Sequence, residues 1–144
     1  MLDKIRLHAA GRLPPAYLEN LGAPANNPGV FDGRTCRFLR LAYEEIRDHT
    51  LAHPRSSDAE ILAWCETRAA AAGHTARTDE ECEIFNAFLC KRGWRDPGAG
   101  ALAKRLAETP HVAGRPIMTM FDYIDFDEGR DPVAGRFWET PPGA

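Results

Sequence analysis

The chain has 144 residues, a length that fits one domain. Its 18 Lys and Arg stand against 21 Asp and Glu, a formal net charge of −3, so there is no basic excess to neutralise a phosphate backbone and no nucleic-acid partner is expected. No apolar run approaches the roughly 20 residues needed to span a bilayer, and Asp3, Lys4 and Arg6 are out of place in a signal peptide. No membrane partner and a bacterial-type cytoplasmic location are therefore expected.

Helix signals recur along the chain and strand signals are nearly absent, so an all-α fold is expected: a compact, irregular bundle of about seven short helices. The single helical domain is expected to cover 1–130, with an irregular tail over 131–144. The first helix runs from Leu2 to a C-cap at Gly11, with Leu2, Ile5 and Ala9 on one stripe. Pro14 and Pro15 open a second, ending at Gly22. Ala23 to Gly29, with Asn26, Asn27 and Pro28, reads as a loop. A third helical region starts near Asp32, taken as its N-cap, breaks near Leu41, restarts, and ends at His53-Pro54. Ser57-x-x-Glu60 and Thr78-x-x-Glu81 are capping boxes. The first opens a helix with Ile61, Leu62, Cys65, Ala69 and Ala72 on one face, stopped by Gly73. The second opens a helix running through Arg92 to Gly93, where Trp94 is placed to make a Schellman contact. Asp96-Pro97 starts a weaker helix to about Glu108, and Pro116 opens the last, carrying Ile117, Phe121 and Ile124 to Gly129. In the tail, Phe137 and Trp138 are placed to pin it to the body. Several of these helices are shorter than about 12 residues, so tertiary packing must hold them.

The four cysteines form no CxxC pair, so zinc-ribbon and thioredoxin patterns are absent and buried, reduced thiols are expected. There is no Walker loop, GxGxxG or GxSxG, and Ser56 and Ser57 are the only serines. No cofactor and no metal are expected, and serine chemistry is disfavoured.

Charged residues on apolar margins are the informative exceptions. Arg6 falls between Leu2 and Ala10, with Asp3 in ion-pair reach three residues earlier. Arg92 projects from the apolar face of Cys82, Phe85, Phe88 and Leu89 at the end of its helix, where the dipole favours a cation. Its structural reading is a buried arginine tying helix ends together. Its functional reading is an anion anchor, since guanidinium grips carboxylate or phosphate in a fork. The stretch from Phe121 to Arg130 is the densest in acid. It fails as an EF-hand, because Gly129 is at the fifth loop position and Arg136 stands where the bidentate Glu belongs. Asp122 and Asp125 there are candidates for proton transfer. The competing structural reading pairs them with Arg6, Arg92 or Arg95. His8, on a face with Lys4, is a third proton-transfer candidate, set against a surface pair. His49 and His53 are spaced i, i+4 but lack the Glu of HExxH, and read as a solvated pair.

Leu2-Asp3-Lys4-Ile5-Arg6-Leu7-His8-Ala9-Ala10-Gly11-Arg12-Leu13-Pro14 resembles the opening motif of DUF5069, a family of uncharacterised bacterial proteins. Phe31-Asp32, Cys36 to Leu39, Glu60 to Cys65, Lys91 to Arg95, and Phe121 to Asp125 with Asp127 to Arg130 are similar to later segments of the same family. The resemblance reaches Arg130. Family members usually carry a segment upstream of the LDK motif, and the Leu41-Ala42 join lacks the acidic cap expected before the tyrosine. The resemblance implies an all-α fold and supplies no activity.

Two readings of function follow. In the first, Arg6 and Arg92, with Lys4 or Arg95, hold an anionic small molecule between helices. Trp64 or Trp94 forms an apolar wall, and Asp3, Asp122 or Asp125 orients the cations or moves a proton in isomerase- or lyase-like chemistry. In the second, the chain is a non-enzymatic interaction or accessory module and the same charges form structural ion pairs. A metal-dependent reaction using the acidic stretch and a histidine is a third. The sequence specifies no oligomeric state.

Overall fold

The computed structural model describes residues 1–22, 24, 29–134 and 136. Asn26, Asn27 and Pro28 of the expected loop, and Phe137 and Trp138, lie outside the described residues. Among the described residues there are seven α-helices and no strand. The helices are α1 (Leu2–Ala9), α2 (Phe31–Leu39), α3 (Tyr43–Ala52), α4 (Asp58–Ala71), α5 (Asp79–Cys90), α6 (Ala99–Glu108) and α7 (Met120–Asp127). Pro15–Asn20 and Pro110–Val112 are 3-10 segments. The fold is all-α. No helix is long and apolar enough to cross a membrane among the described residues.

The chain forms two compact units, Met1–Thr78 and Asp79–Ala144. In the first, α1 to α4 surround Ile5, Cys36, Leu39, Leu41, Ile46, Ile61, Cys65 and Ala69, with Leu2, Phe38, Tyr43 and Trp64 packed against them. Full burial of side chains such as Ile5, Ile46 and Ile61 contributes roughly 1.5–3 kcal/mol each. In the second, Leu102 and Val112 are buried, whereas α5 buries no residue completely.

Chain reversals follow one local solution. After α1, Gly11 N–H bonds to the His8 carbonyl and Arg12 N–H to that of Leu7, with Gly11 at a φ of +66°. This is a Schellman closure, and it recurs after α4 at Gly73 and after α7 at Gly129. The same closure ends α2, but there Arg40 takes the left-handed position, at φ 59° and ψ 35°. A side chain in that region is strained, and Arg40 gains a long-range bond in return, from Nη1 to the Thr75 carbonyl at 3.0 Å.

Several ends differ from their sequence expectation. Asp32 is not the N-cap of α2; Val30 is, and Asp32 sits inside the first turn with its carboxylate turned elsewhere. The last helix begins at Met120 rather than Pro116, because Thr119 caps it: Thr119 Oγ1 accepts from Asp122 N–H at 3.1 Å and the Asp122 carboxylate accepts from Thr119 N–H at 2.9 Å. Here Asp plays the Glu role of a capping box. The expected Schellman contact at Trp94 is replaced. Gly93 N–H bonds to Asp96 Oδ1 at 3.0 Å and Trp94 N–H to the Lys91 carbonyl. Leu62, expected on the core face of α4, is 47% exposed.

At α3, Glu45 Oε2 accepts from Ala42 N–H at 3.2 Å, but Ala42 has no side chain to return the bond. Its extended φ of −69° and ψ of 147° suit an N-cap serine. Ala42→Ser is expected to stabilise the protein by about 1 kcal/mol, read as a higher urea midpoint at unchanged slope. No rise in the midpoint would show that water already caps α3 equally well.

Candidate functional site

The first unit is organised by a carboxylate that sequence reading had assigned to a cap. Asp32 is 2% exposed. Its Oδ2 lies 2.8 Å from Lys4 Nζ and accepts from Gly22 N–H at 3.1 Å, and the Met1 nitrogen lies 3.8 Å from Oδ1. Lys4 also donates to the Asn20 carbonyl at 2.8 Å. α1, the 3-10 segment and α2 thus meet on one anion. Gly22, at a φ of +79°, lets the Tyr43 ring approach so closely that a Cβ would stand 3.0 Å from it. Burial first, and Asp32 second, push the Tyr43 hydroxyl up to about 12. Burial, again with help from Asp32, pushes the Cys36 thiol up to about 11, and burial does the same to Cys65. All four cysteines are free thiols, and Cys36 and Cys65, held protonated, are poor nucleophiles. Beside them, Gly33, Cys36, Arg37, Arg40, Leu41, Ala42, Tyr43 and Glu44 line an open, largely apolar depression of about 370 Å³.

On another side of the first unit, Arg6 Nη1 reaches Asp58 at 2.9 Å and Asp3 at 3.3 Å, while Nη2 donates to the Ser56 carbonyl at 3.2 Å. Trp64 stacks on His49 with ring centroids 3.9 Å apart and planes 5° apart, and His53 follows at 4.1 Å. His49 therefore stacks on an indole, and His53, which is exposed, sits tilted beside it. His8 is exposed.

In the second unit, the turn from Lys91 to Gly98 is built around Asp96. Asp96 Oδ1 accepts from Gly93 N–H at 3.0 Å and Gly98 N–H at 2.8 Å, and Oδ2 pairs with Arg92 Nη1 at 2.5 Å. Burial raises the Asp96 carboxyl, but the Arg92 guanidinium and the two amides outweigh it and hold it below its ordinary value. A Cβ at Gly98 would lie 2.6 Å from the Arg92 guanidinium, so a larger residue there would have to displace Arg92. Outside this knot, Trp94 is 36% exposed, with Lys91 Nζ 5.8 Å and Arg95 Cζ 5.3 Å from its ring. Arg95 is exposed and holds a φ of +54°.

The two acidic candidates of α7 are both engaged. Asp122 is buried against Arg136, with Nε to Oδ1 at 3.0 Å and Nη2 to Oδ2 at 2.7 Å. Its Oδ2 also accepts from Met118 N–H at 2.7 Å and Thr119 N–H at 2.9 Å. Asp125 Oδ1 accepts from Arg130 Nε at 2.8 Å and Nη2 at 2.5 Å, and Arg130 Nη1 pairs with Glu128. The partners are thus Arg136 and Arg130, not Arg6, Arg92 or Arg95. Among the described residues no three His, Cys, Asp or Glu side chains are grouped to hold a metal ion.

The proposed site residues divide between the two units. Lys4, Arg6, His8 and Trp64 belong to the first unit, and Arg92, Trp94, Arg95, Asp122 and Asp125 to the second. The structure brings together Arg92, Trp94 and Arg95 on one turn, and Lys4 with Asp32.

The domain of unknown function DUF5069 matches residues 1–130. The chain belongs to the DUF5069 family. Among curated proteins and among solved structures, none matches it. Two of the motifs that carry the DUF5069 resemblance meet in space, as Lys4 of the LDK motif pairs with Asp32 of Phe31-Asp32, and a third, Lys91 to Arg95, forms the aromatic turn. Asp32 was missed as an organiser because an aspartate at a helix start reads first as a cap. The signal available was Gly22, ten residues upstream, whose amide it accepts.

Asp32→Ala leaves Lys4 without its carboxylate. Breaking a buried pair costs about 3–5 kcal/mol, and Lys4 keeps some access to water, so the expected loss lies at the lower end. Chemical denaturation checks it, and a loss under about 1 kcal/mol would show that the pair does not organise the unit. A second expectation concerns pH. Burial, and His53 beside it, lower the His49 pKa below its ordinary 6.5. The unfolded chain then binds a proton before the folded one, so the stability His49 contributes is complete above about pH 6.5 and is lost as pH falls through the lowered value. NMR titration of His49 should give a midpoint below 6.5 that rises in His53→Ala; a midpoint at or above 6.5 contradicts the stack.

Proposed function

We propose that this protein is a binding protein for an anionic small molecule, recognised at the turn that follows α5. The observation that carries this reading is the arrangement of Lys91, Trp94 and Arg95: two cations at 5.8 and 5.3 Å from a partly exposed indole. Asp96 is the only acidic residue between Lys91 and Gly98, and its oxygens are spent on Arg92 and two backbone amides. The negative charge of the segment thus points inward. Arg95, beside the indole, has no carboxylate partner among the described residues. Guanidinium over an aromatic face keeps a defined orientation while leaving N–H donors for a carboxylate or phosphate. The positive φ of Arg95 is a local strain of the kind concentrated at binding sites.

Catalysis is not part of this reading. Asp122 is buried, and its carboxylate is committed to Arg136 and to the Met118 and Thr119 amides. Arg6, Arg92, Asp122 and Asp125 act instead as packing charges, each paired within its own unit. That same observation favours the second reading, an interaction module with structural ion pairs and no small ligand.

The two are separated by titrating pyrophosphate and citrate at low salt, following Trp94 as the difference in fluorescence between the wild type and Trp94→Phe. The binding reading expects a saturable change, weakened about tenfold by Arg95→Ala, the equivalent of about 1.4 kcal/mol. A linear, unsaturated response that is the same in Arg95→Ala overturns it and leaves the interaction module.

A further inference from the structure

Arg136 is 5% exposed, and the short stretch 116–122 supplies several of its acceptors. Nε and Nη2 span the two oxygens of Asp122, Nη2 also reaches the Pro116 carbonyl, and Nη1 lies 3.6 Å from Met118 Sδ. The stretch 116–122 also holds hydrogen bonds of its own. Met118 N–H and Thr119 N–H hold the Asp122 carboxylate in place, and the Thr119 hydroxyl locks the turn through Asp122 N–H. The two Asp122 oxygens accept from two guanidinium nitrogens, a fork that suits guanidinium better than the point charge of an ammonium.

The arginine comes from a different kind of chain. Residues 132–134 form a turn, the Arg136 amide bonds to the Val133 carbonyl, and the Val133 amide to the Asp131 carboxylate. The stretch 116–122 lies inside the part of the chain matched by the family, and Arg136 lies outside it. We propose that residues 116–122 form a guanidinium receptor, that Arg136 fills it in cis, and that an arginine side chain of a partner peptide takes the same place when Arg136 leaves. A buried, uncompensated carboxylate is strongly unfavourable, so an emptied receptor has a large incentive to take any guanidinium that fits. The tethered Arg136 competes at high effective concentration, which keeps the receptor closed to weak ligands.

The test uses the full chain carrying Arg136→Ala. Thermal melting is followed with N-acetyl-arginine amide and, at equal ionic strength, N-acetyl-lysine amide. The expected result is a lowered melting temperature that the arginine derivative partly restores, with an apparent affinity at least about tenfold above that of the lysine derivative. Restoration should vanish when Asp122→Asn is added. A short arginine-bearing peptide should move the amide resonances of Met118 and Thr119 in the variant, and bind the wild type at least about tenfold more weakly. Equal responses to arginine and lysine, restoration that survives Asp122→Asn, or equal peptide binding to wild type and variant each overturn the proposal. Should Arg136→Ala not fold alone, Arg136→Met, which keeps most of the volume, is titrated in the same way. Failure of both to fold with the arginine derivative present also overturns it.

Discussion

A carboxylate withdrawn from water must be given a cation and N–H donors, and two such carboxylates govern how this chain closes. Asp32 gathers Lys4, the Gly22 amide and the Met1 nitrogen in the first unit. Asp122 gathers Arg136 and the amides of Met118 and Thr119 in the second. In each case the partners come from segments that apolar packing alone would not align: a helix start with a 3-10 segment, and a turn with the chain beyond α7. Hydrophobic burial is non-directional, and these short helices carry small apolar faces, so the directional pairs choose among packings of similar area. Coupling charges to packing has a cost in desolvation, which is met here by backbone donors as well as by cations.

The helices were legible because their ends are written locally. Ser57 with Glu60 opens α4, and Gly11 and Gly73 close α1 and α4, all from signals within six residues. The break near Leu41 was legible too, although an arginine holds the left-handed position there. What local reading could not reach were the pairs. Lys4 looked like a surface residue because nothing near it in sequence calls it inward; its partner lies 28 positions away. Asp122 and Asp125 pair with arginines other than those the sequence suggested, since Arg136 and Arg130 approach from the C-terminal side. Asp122 was also misplaced on its helix, because Thr119-x-x-Asp122 uses the shorter acid and was not read as a capping box.

Three roles of arginine separate in this molecule. Arg92 and Arg136 are half-buried or buried and satisfy carboxylates. Arg40, at the end of α2, and Arg95, in the turn after α5, accept positive φ and put their guanidinium groups where a glycine would offer nothing. Arg77 covers the Phe38 ring at 5.1 Å and donates to the Phe38 carbonyl. The candidate recognition turn combines the first two roles: Arg92 removes the local negative charge, and Arg95 presents the positive one.

The same arginines decide the mechanical character of the stretch between α4 and α5. The His74 amide closes on the Ala69 carbonyl, Arg40 holds the Thr75 carbonyl, and Arg77 is fastened to α2 through both its guanidinium and the ring beneath it. Residues 74–77 are therefore not a tether with slack but the outermost layer of the first folded body. A pull transmitted along the chain at Thr78 would load the Arg77–Phe38 contact, and a protease seeking an extended strand there would find the His74 amide and the Thr75 carbonyl already committed.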